Sequence, residues 1–178
     1  MKFGKLDFDD VKQHSELVAA ATKEAIEKSD IDGVLVSEID ASLADTAAFC
    51  EAYDIGLDVS ANCVVVEAKR ADKTWYAACM ILATNRADIN GVVRRQLDAR
   101  KISFAPMDTA TSLTKMEYGG ITPIGLPDDW LLLVDEAITK KEHVIIGSGI
   151  RGSKLLVPGS IFTKLPNATV LNITKKEQ

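Results

Sequence analysis

The sequence has few of the residues that bind metals or act as nucleophiles. Its 178 residues include three cysteines and two histidines. The cysteines form no C-x-x-C pair and the histidines lie far apart, so the sequence predicts no metal site and no cofactor. Cys63 and Cys79 lie within apolar runs, where a cysteine usually packs as a small hydrophobic residue. No G-x-S-x-G motif indicates a catalytic triad.

Long hydrophobic runs are also missing. The longest uncharged apolar stretch, around residues 77–83, is far too short to cross a bilayer. The N-terminus MKFGKLDFDD becomes acidic within seven residues and has no apolar segment of the kind found in secretory leaders. These features predict no membrane span and a cytoplasmic location. With 47% hydrophobic and 26% charged residues, the chain is expected to form one globular domain over residues 1–178.

The chain has fewer basic than acidic residues. The formal net charge of −5 argues against a protein that coats nucleic acid non-specifically, and we expect no DNA partner. One segment, GVVRRQLDARK at residues 91–101, has four basic residues and a single acid, Asp98. Its basic residues are Arg94, Arg95, Arg100 and Lys101. They predict either a local patch for nucleic-acid phosphates or a solvated helix face.

Helical and strand patterns alternate along the chain. Helices are predicted over residues 15–28 with Ser15 as N-cap, 44–53 with a cap at Asp40 or Ser42, 88–99 with Asp88 as N-cap, 107–116 with a cap at Asp108 or Thr109, and 158–165. Strands are predicted over residues 33–39, 62–69, 74–83, 130–135, 143–148, 153–157 and 168–173, with a hairpin turn at RADK, residues 70–73. The pattern predicts an α/β (α+β) domain around a mixed, largely buried β-sheet surrounded by helices.

Glycine is concentrated in the segment MEYGGITPIGL, residues 116–126, which has three glycines and a proline in eleven residues. A simple chain reversal needs about one glycine, so Gly119, Gly120, Pro123 and Gly125 exceed what a turn requires. The segment predicts either a long, tight loop or a backbone shaped around a ligand.

A second glycine cluster lies in VIIGSGIRGSKLLV, residues 144–157. There a strand pattern is followed by Gly147-Ser148-Gly149, then by Arg151 and Lys154, and then by another strand pattern. The spacing does not match GxxxxGK[ST], and a strand rather than a helix follows, which disfavours a nucleotide P-loop. The cluster predicts either an anion-binding turn or a hairpin turn with two exposed basic residues.

Together, these segments resemble the YbaK/ProX family of aminoacyl-tRNA deacylases, which is similar to the editing insertion of bacterial prolyl-tRNA synthetases. The resemblance rests on residues 67–106, the GGITPIGL loop, the end of LLLVDE and the GSGIRGSKLLV turn. Its most specific element is GGITPIGL, which is like the family's G-G-x-[ST]-P-x-G. The resemblance spans about residues 33–172 and leaves residues 1–32 as an N-terminal helical extension.

The resemblance implies an editing-domain-like fold and trans-editing activity, the hydrolysis of the ester between a wrongly attached small amino acid and a tRNA. It implies that the backbone N–H groups of Gly119, Gly120 and Ile121 polarise the ester carbonyl. The implied substrate-contacting residues are Thr122, Pro123, Gly125, Ser148, Gly149 and Arg151. The implied partner is the acceptor end of an aminoacyl-tRNA, held by Arg94, Arg95, Arg100 and Lys101, with an aminoacyl-tRNA synthetase as a further candidate.

The sequence departs from the family at one position. Relatives have a lysine just before the strand that here reads CVVVEA, and Asn62 occupies that place. We expect Lys154 to supply the missing positive charge from the opposite rim, so Asn62 and Lys154 complete the predicted catalytic set. Three hypotheses remain: a deacylase, a binding module of the same fold without turnover, and an unrelated hydrolase or anion-binding protein that uses the Gly-Ser-Gly turn. A cavity shared by Asn62, Lys154 and residues 119–125 would favour the first two.

Overall fold

The computed structural model describes residues 1–175. Its strands, in chain order, are β1 Lys2–Phe3, β2 Leu6–Asp7, β3 Asp9–Asp10, β4 Leu35–Glu38, β5 Ala61–Arg70, β6 Lys73–Leu82, β7 Lys101–Phe104, β8 Leu131–Asp135, β9 His143–Gly147, β10 Ser153–Pro158 and β11 Ala168–Leu171. Its helices are α1 Ala20–Lys28, α2 Thr46–Tyr53, α3 Arg94–Gln96, α4 Met107–Thr114 and α5 Glu136–Thr139. A π-helical turn, Ile89–Val93, leads directly into α3.

The strands form two main sheets. The first is mixed and has the order β11-β8-β6-β5-β7, with parallel pairs at β11/β8 and β8/β6 and antiparallel pairs at β6/β5 and β5/β7. The second is antiparallel and has the order β3-β4-β10-β9. A parallel bridge between Ser60 and Ile145 joins the start of β5 to β9. This join brings the first residues of β5 close to the end of β9, and residues from both strands line a cavity there.

Alternation along the strands divides the core into layers. On β6, Ala78 and Met80 face a core shared by both sheets, whereas Ala77 and Cys79 pack against Val93 of the helical segment over residues 89–97. The outer face of the second sheet packs against α2. The predicted mixed α/β fold is therefore confirmed, although its buried sheet is divided into two packed sheets.

The start or the cap of three helices differs from the sequence prediction. The first helix begins at Ala20 instead of Ser15, because Val18 is extended and the Ala19 N–H donates to Ser148 O at 3.1 Å. Helix α2 is capped by the side chain of Asp45, which accepts hydrogen bonds from two backbone N–H groups. Pro106 precedes the first residue of α4 without a side-chain cap, so neither Asp108 nor Thr109 is its cap. Only the difference at α1 comes from a tertiary contact, whereas α2 is capped by the residue directly before it.

The N-terminal segment is more than a helical extension. It contains β1 to β3 and α1, and β3 pairs with β4 at the edge of the second sheet. Val11, Val18 and Ile26 belong to the core shared by both sheets. Within residues 1–175, no helix is long and apolar enough to span a membrane, and no cluster of three metal-ligating side chains is found.

Candidate functional site

The site is a cavity of about 550 Å³ between α2, the start of β5, the glycine loop and the joined ends of β9 and β10. Much of its wall is made of small residues, which leaves space close to the backbone. The small residues in the lining are Ala44, Ala47, Ala61, Ala83, Gly119 and Gly147. The polar residues in the lining are Asp45, Thr46, Asn62, Tyr118 and Lys154.

Lys154 brings a buried positive charge to this cavity. It is the second residue of β10, where it pairs with Gly147 of β9 and Ser37 of β4. Only 7% of the residue is exposed, and its Nζ donates to Ala44 O at 3.1 Å and lies 5.3 Å from the Phe49 ring centroid. Among residues 1–175 no Asp or Glu forms an ion pair with it. Burial lowers the pKa of Lys154 below its usual value.

Asn62 lies on the same cavity, near the start of β5. Its Oδ1 accepts a hydrogen bond from Thr46 Oγ1 at 2.6 Å. Thr46 is the first residue of α2, so the start of that helix also fixes the position of the amide. No hydrogen bond from Asn62 Nδ2 is found within the described part of the chain, which leaves two N–H donors for a ligand.

The density of glycine follows from the close packing of the loop over residues 117–121 on the β9–β10 hairpin. The Glu117 N–H donates to Gly149 O at 2.9 Å, and the Gly149 N–H donates to Gly120 O at 2.6 Å. A Cβ on Gly120 would lie 2.5 Å from Ile150 O, and a Cβ on Gly147 would lie 2.5 Å from Gly120 O. Both positions therefore need glycine for close approach of two backbones.

Only two of the three predicted backbone donors remain candidates. Gly119 and Ile121 line the cavity, and their N–H groups have no partner among residues 1–175. Gly120 is buried and its N–H donates to Glu117 O at 3.0 Å, closing a turn. The prediction for Gly120 is corrected: its amide holds the loop together, and glycine is needed there for packing.

The second glycine cluster is a hairpin loop, and its predicted substrate contacts lie outside the cavity lining. Ser148 is fully buried, and its hydroxyl donates to backbone carbonyls of the hairpin and accepts from Ser153 Oγ at 2.7 Å. Gly149 adopts φ +90° and packs against Ala19. The guanidinium of Arg151 donates to two backbone carbonyls. These contacts favour a supporting role for the turn, and its predicted substrate contacts stay predictions.

The second half of the glycine loop faces away from this site. Pro123 and Gly125 line a separate cavity of about 530 Å³ beside α1. Thr122 is fully buried, and its Oγ1 has no partner among the described residues. These three residues are absent from the lining of the cavity at Lys154, and their predicted substrate contacts stay predictions.

The predicted tRNA-binding residues lie around a separate groove of about 560 Å³. Arg94, Arg100 and Lys101 line it together with Lys69, whereas the exposed Arg95 does not. Strand β5 links this groove to the cavity, because Lys69 follows Asn62 by seven residues on the same strand, about 23 Å at the usual rise.

Sequence reasoning missed several lining residues. Thr46 reads as part of a helix, and its contact with Asn62 joins two distant segments. Tyr118 is 58% exposed at the cavity and directly precedes the glycine pair, which was the available signal. Cys63 also contributes to the lining, but burial raises the pKa of its thiol well above the usual range, so it stays protonated.

Comparisons with known proteins identify a family match and similar folds. The model of the aminoacyl-tRNA editing domain family matches residues 40–165, which include the cavity and the groove. No curated protein sequence matches the chain significantly. A solved structure of a protein proposed to be a trans-editing enzyme for prolyl tRNA synthetase superposes with a TM-score of 0.75 at 17% identity, covering 89% of this chain and 99% of that one.

Two further solved structures have similar folds. A scaffold protein from a computational epitope-grafting study has a TM-score of 0.75 at 18% identity and covers 89% of this chain and 97% of its own. A hypothetical protein has a TM-score of 0.71 at 17% identity and covers 80% and 92%, respectively. At these identities the superpositions show a shared fold.

Proposed function

The chain belongs to the aminoacyl-tRNA editing domain family, and we propose that it is a trans-editing deacylase that removes a wrongly attached small amino acid from a tRNA. Membership of this family implies an aminoacyl-tRNA substrate. We further propose that it acts in the cytoplasm. An aminoacyl-tRNA synthetase is the proposed second partner, as the description of the similar structure links that protein to prolyl tRNA synthetase.

One observation carries the proposal: four hydrogen-bond donors from three separate segments meet at one cavity. The donors are the N–H groups of Gly119 and Ile121, the amide of Asn62 and the ammonium of Lys154. An ester carbonyl gains negative charge as a nucleophile adds to it, so fixed donors stabilise the transition state more than the substrate. A donor-rich wall therefore suits ester hydrolysis.

The proposed reaction needs no covalent enzyme intermediate. Water adds to the ester carbon while Gly119 and Ile121 donate to the developing oxyanion. The ester C–O bond then breaks and one proton of the water passes to the leaving ribose oxygen. The other proton is released to solvent, and the free amino acid leaves as a carboxylate. An aminoacyl ester is already activated, so orientation and charge stabilisation can provide most of the acceleration. Lys154 places its charge beside this centre and holds the acceptor end.

A panel of mischarged tRNAs tests the activity directly. The protein is incubated with tRNAs that carry different small amino acids, and the loss of the ester is followed over time. Turnover of any one substrate above the rate of spontaneous hydrolysis supports the deacylase. Binding without turnover of every substrate would contradict it and support the non-catalytic module.

The basic groove is the proposed site for the tRNA acceptor arm. Charge reversal at Arg94 and Lys101 should weaken tRNA binding and reduce its dependence on salt, because each phosphate contact releases a counterion. We expect the slope of log Kd against log salt to fall by about two, roughly one for each lost contact. The preference among amino acids should not change, since phosphate contacts do not read the ester.

The matched control for the groove is Lys164→Glu. Lys164 is exposed and lines none of the cavities described above. Its reversal changes the net charge as much as the reversal of Arg94 or Lys101 alone. Comparison with each single groove variant therefore separates a local phosphate contact from the effect of net charge. Equal salt dependence for the groove variant and the wild type would make the basic segment a solvated helix face.

A binding module without turnover is the second candidate, and the neutral Asn62 in the place of the family lysine favours it. The variant Asn62→Lys distinguishes the two. If Lys154 already supplies the charge, a second ammonium in the same cavity should repel it, lower the pKa of one lysine and give little gain or a loss of activity. Strong new activity in Asn62→Lys, in a protein otherwise inactive, would establish the non-catalytic module.

A further inference from the structure

Arg151 lies next to the site but donates its side-chain hydrogen bonds to the protein backbone. Its Nη1 donates to Tyr118 O at 3.0 Å and its Nη2 donates to Ala41 O at 3.1 Å. Its own backbone N–H donates to Glu117 Oε1 at 2.8 Å, which fixes the position of residue 151 relative to the loop. One guanidinium thus joins two segments that border the cavity.

The contact with Tyr118 O bears directly on a proposed donor. A peptide group is planar, and in the trans form its C=O and N–H point in opposite directions. The C=O of Tyr118 and the N–H of Gly119 belong to one such group, and no cis peptide occurs among residues 1–175. A hydrogen bond that holds the carbonyl on the Arg151 side therefore fixes the direction of the Gly119 N–H on the other side.

From this geometry we propose that Arg151 is a positioning residue, which orients the Gly119 N–H for the ester carbonyl by holding the other end of the same peptide group. The inference rests on the proposed deacylase function. Without the arginine, this peptide group could rotate, because Gly119 adopts φ +84° and glycine imposes few limits on backbone rotation. Preorganisation of the donor would then be lost.

The second donor is held in the same way, by the backbone of the same hairpin. Gly120 O accepts from the Gly149 N–H at 2.6 Å, and this carbonyl shares a peptide group with the Ile121 N–H. The hairpin over residues 148–152 thus holds the carbonyl end of both peptide groups that lead into the cavity-lining residues Gly119 and Ile121. The Gly119 group depends on a side chain, so it alone can be released by a conservative substitution.

Arginine suits this position because its planar fork can donate to two carbonyls at once. Nη1 and Nη2 reach Tyr118 and Ala41, and Ala41 begins the turn that leads to Ala44, whose carbonyl accepts from Lys154. A lysine would keep the charge but provide a single point donor. Arg151→Lys therefore tests geometry at constant charge.

The experiment compares wild type, Arg151→Lys and Arg151→Ala in steady-state deacylation of the best substrate from the mischarged panel. We expect kcat to fall about tenfold in Arg151→Lys and further in Arg151→Ala, since removing one oxyanion donor costs roughly 100-fold or more. KM should stay within about twofold, because the groove rather than the loop holds the tRNA. Free guanidinium ion at millimolar concentration should restore part of kcat in Arg151→Ala.

The control variant is Arg86→Lys, because Arg86 is exposed and its side chain makes no hydrogen bond among the described residues.

The possible outcomes separate the inference from the function. A fall in kcat with constant KM and guanidinium rescue supports the positioning role. If the wild type is active and both Arg151 variants have the same kcat as the wild type, the positioning role is overturned. A rise in KM alone would also overturn it, because Arg151 would then be a substrate-binding residue. If Arg151→Ala fails to fold, Arg151→Lys carries the test. Wild-type protein that deacylates no member of the panel refutes the proposed function itself, and the positioning role is then refuted with it.

Discussion

Replacing Lys154 with methionine is expected to lower the deacylation rate at least tenfold, about 1.4 kcal/mol of transition-state stabilisation, without unfolding the protein. Methionine has a similar length and keeps the packing on Phe49, but it removes the only ammonium in the cavity lining among residues 1–175. A charge-assisted contact to the substrate is thereby lost in a partly dry site. The measurement is kcat/KM on the best mischarged tRNA, and Lys164→Met serves as the exposed control.

The same variant is expected to be at least as stable as the wild type, although its activity falls. Lys154 is 7% exposed and has no carboxylate partner among the described residues, so burial of its charge opposes folding. Lys154→Met should therefore unfold at the same or a higher denaturant midpoint than the wild type. A lower midpoint together with full activity would make Lys154 a structural residue, held for its contact with Ala44.

The pH dependence of unfolding gives an independent check on that argument. Burial lowers the pKa of Lys154, so in the native state it loses its proton at a lower pH than in the unfolded state. Between these two pKa values the unfolded state binds more protons, and the free energy of unfolding must rise with pH. Below the native pKa both states are charged and the full penalty remains. This alkaline rise should be smaller in Lys154→Met, as measured by denaturant unfolding across the alkaline range.

The strands could be predicted from the sequence because their signals are local. Alternation along residues 62–69 and 74–83 and the polar RADK turn predicted a hairpin, and β5 and β6 pair in register from Ala61 with Leu82 to Arg70 with Lys73. The start of α1 was wrong because it depends on the bond from Ala19 to Ser148, which joins segments far apart in sequence. Local patterns carry no information about such a partner.

The site was only partly accessible to sequence reasoning for the same reason. The glycines indicated a shaped backbone, and Asn62, Lys154 and the loop do line one cavity. The sequence did not show that Pro123 and Gly125 line a second cavity. Their placement depends on how the loop packs against α1 and the hairpin, which are distant in sequence. From the sequence, Arg151 was predicted to bind an anion. In the folded chain its guanidinium donates to the carbonyls of Tyr118 and Ala41.

The variant Gly120→Ala is expected to cause the largest loss of stability among the loop substitutions considered. The new Cβ would lie 2.5 Å from Ile150 O and 2.6 Å from Ile150 C, and backbone atoms cannot move aside as a flexible side chain can. We expect a loss of about 2 kcal/mol in the free energy of unfolding, the usual scale of overpacking. For a chain of this size that corresponds to roughly 6 °C in Tm, measured by calorimetry. Activity should fall as well, because the displaced Gly120 carbonyl no longer orients the Ile121 N–H.

The matched control is Gly152→Ala in the hairpin on which Gly120 packs. A Cβ on Gly152 would have no heavy atom within 4 Å, and the residue does not adopt positive φ. The same chemical change should therefore shift the free energy of unfolding by less than about 0.5 kcal/mol and leave activity intact. If Gly120→Ala were as stable and as active as Gly152→Ala, the loop would tolerate separation from the hairpin. Its glycines would then serve only to reverse the chain. Contacts with the hairpin would not be what orients the N–H groups of Gly119 and Ile121.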